Sequence, residues 1–148
     1  MNIFVKANKA YFLFLYLLLF GLLSACSSPI PEEPAQPPDR VDLVYFYDSN
    51  ICQCDAGPGT IILGTLYINF GRELATGQLT FQSIDINESG HAAIADKYGA
   101  TSLSLFMNVV RGDTEQIVPV PEIEVVKDDD EAISRLVIRK IGTYFEVD

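Results

Sequence analysis

Basic residues are scarce in this chain of 148 residues: ten lysines and arginines stand against twenty aspartates and glutamates. The few cations form no stripe or cluster, and nucleic acid and anionic lipid head groups both need cationic partners, so nucleic-acid binding is set aside. There is a single histidine, His91, with no motif around it, and no Ser-His-Asp set can be assembled from it. Gly57-Pro58-Gly59 lacks both the lysine and the spacing of a phosphate loop, and no other stretch calls for a cofactor. No internal repeat is present. The longest apolar run, Ala10 to Leu23, is about 14 residues, short of the roughly 20 that span a bilayer.

What is present begins at the amino terminus. Lys6 and Lys9 precede the apolar run, and small residues Ser24 and Ala25 follow it. A positive segment, an apolar core and a small-residue cleavage site are the three parts of a secretory signal. Leu23-Ser24-Ala25-Cys26 resembles a bacterial lipobox, in which the cysteine carries the acyl chains and becomes the first mature residue. That resemblance implies a signal peptide over residues 1–25, lipid attachment at Cys26 and residence in the cell envelope. The chain would be tethered to a membrane on the extracytoplasmic side. Two or more acyl chains give stable anchoring where one is marginal. Ser27, in place of the aspartate that often marks inner-membrane retention, favours the outer membrane where there are two. Residues 26–40 hold Pro29, Pro31, Pro34, Pro37 and Pro38 and read as a semi-extended tether. Cleavage would leave eight basic and twenty acidic residues, a net charge of −12.

The remainder, residues 41–148, is one small domain. Val41 to Tyr47 is dense in Val, Leu, Tyr and Phe and reads as a buried strand. A cysteine loop follows, Ile51 to Gly57. Pro58 then opens a helix whose apolar residues recur to Leu74 and which closes at Gly77. Leu79 to Ile86 alternates as a second strand, and a short helix runs from Gly90 to Tyr98. Thr101 to Val110 and Glu115 to Val118 form a hairpin around Arg111-Gly112-Asp113. A last helix covers Asp128 to Phe145, with acids in its first turn and Arg139 and Lys140 near its end, as its dipole favours. Strand, helix, strand, helix, hairpin, helix predicts an α/β fold: a mixed four-stranded sheet flanked by helices, in the thioredoxin-like order.

The stretch Val44 to Cys54 (VYFYDSNICQC) resembles the first strand and active-site loop of thioredoxin-like proteins. Ile86-Asn87-Glu88-Ser89, Tyr98 and Ser102-Leu103-Ser104-Leu105 are similar to a small bacterial thioredoxin-like family known as a nitrophenyl-compound nitroreductase subunit. The reductase reaction in that name is not carried over. Two features depart from thioredoxin-like oxidoreductases: the spacing Cys52-Gln53-Cys54 in place of Cys-x-x-Cys, and Thr101-Ser102 where the family has a cis-proline.

The cysteine pair leaves three readings open. An i, i+2 disulfide closes almost no loop, so it removes little entropy from the unfolded chain and staples poorly. Thiol-disulfide exchange would use Cys52 as the attacking thiolate and Cys54 as the resolving thiol, with an exported protein as partner. A cysteine just ahead of a helix has its pKa lowered by the helix dipole, whereas the nearby Asp48 and Asp55 oppose the thiolate. Alternatively the domain is a redox-inactive binding module. As a third reading, the two sulfurs bind a soft ion such as Cu(I), with no complete metal site legible. His91 and the acids from Asp128 to Glu131 read as solvated helix starts.

Overall fold

Alternate burial on both faces makes a central strand, and the first strand is one. β1 (Arg40–Tyr47) buries Val41, Leu43 and Tyr45 on one side and Val44 and Phe46 on the other. The fold is that of a computed structural model, which describes residues 37–51 and 57–145. The expected signal peptide, Cys26 and most of the expected tether lie outside the described residues, as do Cys52 and Cys54. Asp39 and Arg40, read from sequence as the end of the tether, are fastened to the sheet. The Asp39 N–H donates to Val110 O (2.9 Å), and the Gly112 N–H donates to Asp39 Oδ2 (2.6 Å).

Helix α1 (Gly57–Asn69) follows, then α2 (Gly71–Thr76). The apolar spacing predicts one helix here, and the structure breaks it at Phe70. That residue leaves helical geometry (φ −134°, ψ 32°) to bury its ring completely, and Gly71 follows it. Hydrogen bonds from Phe70 N–H to Leu66 O and from Leu74 N–H to Phe70 O carry the ladder through, so the break is a kink.

β2 (Leu79–Asp85) lies parallel to β1, with Val41 opposite Leu79 and Tyr47 opposite Asp85. α3 (Ala92–Tyr98) starts two residues later than its pattern suggests, because Gly90 sits at φ +105°, which no helix accepts. β3 (Ser104–Arg111) pairs antiparallel with β1, and β4 (Thr114–Pro119) pairs antiparallel with β3. Pro119 ends an edge strand, one of the few sheet positions open to proline. A short α4 (Ile123–Val126) precedes α5 (Asp130–Ile141). The Asp129 carboxylate caps α5 by accepting from Ala132 N–H (2.9 Å), and Gly142 stops it short of the predicted Phe145.

The sheet order is β2-β1-β3-β4, and the domain is an α/β fold of the thioredoxin-like kind. α1 and α5 pack together over one face, above Val41, Leu43, Tyr45, Leu105, Met107 and Val109. Thr65 Oγ1 donates to Ser134 Oγ (2.9 Å), which donates to Asp130 O (2.9 Å), a polar pin between the two helices. The other face carries a thinner layer. Val44, Phe46, Ile84 and Phe106 are covered by Ile94, Ala95 and Tyr98 of α3. Among the described residues no helix is long and apolar enough to cross a membrane.

Candidate functional site

Three chain corners gather at one end of the sheet. β1 and β2 are parallel and finish there, while the antiparallel β3 begins there, since Phe46 stands opposite Ser104. The corners are Asp48–Ile51 after β1, Asn87–His91 after β2, and Thr101–Leu103 before β3. Between Ile51 and Gly57 the sequence carries Cys52 and Cys54, both outside the described residues.

The first two corners are clasped together by short polar side chains. Asp48 Oδ1 accepts from Asn50 N–H (2.8 Å), closing a turn, and also from Asn87 Nδ2 across the gap. Asp85 Oδ1 accepts from Asn87 N–H (3.0 Å) and, more loosely, from Ser49 N–H (3.4 Å). Hydrogen bonds from Ser49 and Asn87 hold the Asp85 carboxyl below its ordinary pKa. Sequence reasoning missed this clasp. Its only local signal is the Asp-Ser-Asn and Asp-Ile-Asn triplets after two strands, residue types that close turns with their own side chains.

His91 stands at the N-cap of α3, with Nδ1 2.9 Å from Asp85 O and 3.5 Å from Glu88 Oε2. A carbonyl only accepts, so Nδ1 is the donor in this contact. In the third corner, Ser104 Oγ accepts from Thr101 N–H (3.1 Å), and Ser104 N–H donates to Thr101 O (3.3 Å). Leu103 within that turn has φ +63°, the one non-glycine residue with positive φ among those described. Such geometry strains any residue with a Cβ, and here packing of the Leu103 side chain against the larger core cluster holds it. All described peptide bonds are trans.

The segment 52–56 leaves from an exposed Ile51 and is followed by a closely packed helix start. Pro58 and Gly59 are buried in the first turn of α1. A Cβ on Gly59 would lie 3.0 Å from Ser83 Oγ and 3.1 Å from Tyr45 Cδ1, so glycine lets the helix sit directly on the strands. Among the described residues no three His, Cys, Asp or Glu side chains converge as a metal site.

Three carboxylates of the domain share one pH signature. Beside Asp85, Glu115 is lowered by its hydrogen bond and ion pair with Lys97 (2.9 Å), and Glu122 by Lys140 (2.6 Å). A depressed folded-state pKa adds stability above the unfolded value, near 4, and that contribution vanishes as pH falls through the folded one. The urea midpoint is therefore expected to be level from pH 7 to about 5 and to fall steadily below about pH 4. A midpoint that rises on acidification would contradict these pairings.

The chain matches no known family model, and no curated protein matches it.

Proposed function

We propose that the chain is a membrane-anchored, extracytoplasmic thioredoxin-like protein that exchanges thiols and disulfides through Cys52 and Cys54. The supporting observation is the corner between β1 and α1. In this fold order, the thioredoxin-like resemblance assigns the reactive cysteines to the loop joining those two elements, and this chain's only cysteine pair falls in that stretch of sequence. The Cys52 thiolate attacks a partner disulfide, forming a mixed disulfide and releasing one partner thiolate. The Cys54 thiolate then attacks Cys52 Sγ, which releases the second partner thiolate and leaves a Cys52–Cys54 disulfide. The reverse sequence oxidises a partner dithiol. The tight i, i+2 ring favours the oxidising direction, since strain makes a disulfide easier to reduce. Acyl chains on Cys26 would hold the domain beside exported partners and raise their effective concentration.

The test is a redox equilibrium of the full chain in detergent against glutathione, with free thiols counted at each ratio. One pair is expected to titrate as a unit and to vanish in the Cys52→Ser and Cys54→Ser variants. A pair that never oxidises reversibly ends the proposal. A second reading, a redox-inactive binding module, draws support from Asp48 and Asp55, close in sequence to the pair, because negative neighbours oppose a thiolate. It gains if replacing both cysteines by serine leaves the cellular role intact.

A further inference from the structure

Helix α1 is apolar on its outer face as well as its inner one. Ile62 and Leu66 are buried against the sheet, while Tyr67 and Ile68 on the solvent side are 66% and 84% exposed and Leu63 joins them. A helix that is hydrophobic all round is ordinarily covered on all sides. Beside Tyr67, a shallow concavity of about 430 Å³ runs over Leu74 and Ala75 of α2 to Leu79 and Thr80 of β2, so the helix face is continuous with the sheet edge.

That edge is open. β2 is an outer strand, and Val41 N–H donating to Gln78 O and Ile86 N–H donating to Tyr47 O fix the phase of its parallel ladder. By that alternation the even-numbered residues of β2 bond to β1, and Leu79, Phe81 and Ser83 direct their N–H and C=O groups outward. Natural edge strands are usually protected by charge, proline or a bulge. Leu79 to Ile84 has no charge and no proline, and its register with β1 is unbroken.

Charge decides which partner fits. From Gly57 to Ile84 the sequence holds two charged residues, Arg72 and Glu73, and they pair with each other at 3.0 Å. The other seven basic and nineteen acidic residues after Cys26 lie outside this stretch. A cationic partner would be drawn to the acidic remainder of the surface. A molecule carrying the same negative charge can approach only where charge is missing. We propose that this flank is where a second copy of the same chain docks. The two β2 strands run antiparallel across a two-fold axis, with Phe81 opposite Phe81, and the outer faces of the two α1 helices meet. An isologous contact of this kind is self-complementary by construction, and the Phe81 register keeps Asp85 from facing its own copy. Exposed apolar patches on single domains typically run to about a few hundred Å², below the roughly 800 Å² per partner of a stable complex, so the dimer is expected to be weak and to form where chains are concentrated.

The experiment uses the full-length chain in the membrane of the cells that make it. The photo-crosslinking residue p-benzoylphenylalanine replaces Tyr67, or replaces Val125 (86% exposed and outside the patch) as a control. On illumination, position 67 is expected to give a species of twice the chain mass containing peptides of this chain alone, and position 125 none. Adding Ile68→Glu, at a position 84% exposed, is expected to leave the thermal midpoint unchanged and to lower that yield by about tenfold, as the two copies then set like charges face to face. A product of any other mass, a lipid adduct, an equal yield at both positions, or no product at all would overturn the proposal.

Discussion

Phe46→Ala is expected to destabilise the domain by about 3–5 kcal/mol, the usual range for emptying a buried phenylalanine site. Phe46 is completely buried at the centre of the thin layer under α3, its ring 5.4 Å from that of Tyr98 and 5.9 Å from that of Phe106. This layer has few alternative contacts to fall back on. Its fully covered members are Val44, Phe46, Ile84 and Phe106, and α3 is only seven residues long. A helix so short has no stability of its own and depends on the surface it covers. For a domain held by about 5–15 kcal/mol, the loss should lower the thermal midpoint by about 15–25 °C, read by circular dichroism. A loss below about 1 kcal/mol would mean that α3 does not rest on this cluster.

Gly59→Val should destabilise by about 1–3 kcal/mol through overpacking, whereas Gly64→Ala should stabilise by about 0.5–1 kcal/mol. Both glycines lie in α1, and local helix propensity treats them alike. Their surroundings differ. The Cβ of residue 59 would press on Tyr45, which is completely buried and has no room to yield, while nothing lies within 4 Å of a Cβ at residue 64. Urea unfolding of the two variants checks the pair. If both substitutions stabilise, α1 is not seated this closely on the strands.

The strands were legible because their patterns are local. VDLVYFY reads as a strand buried on both faces, and β1 is the central strand, within one residue of the expected start. The hairpin around Gly112 and the αL glycines closing α2 and α3 were readable for the same reason, since each is set by a residue or two. The break at Phe70 was not. Its spacing continues the helix, and only the depth of the core beneath it draws the ring out of line. The turn at Thr101–Leu103 was hidden too, because Thr-Ser-Leu-Ser suits a strand and nothing in it announces a leucine at positive φ. Of the candidate site, the sequence named the cysteine pair and its corner. The clasp joining Asp48 to Asn87 spans 39 residues and has no expression in local pattern.

Taken alone, the amino-acid order determined the sequence of elements and, through the alternation of apolar residues, which strands would be buried. The proposed export and lipid-attachment signals are likewise local in the sequence and need no fold. Tertiary structure decided what depends on distance between remote segments. It made one glycine of α1 costly to replace and another replaceable, fastened two loops by shared carboxylates, and, among the described residues, left an uncharged helix face and strand edge uncovered. The physical reason is that propensity and periodicity act over a few residues, whereas close packing and electrostatic exclusion act between whatever the fold brings together.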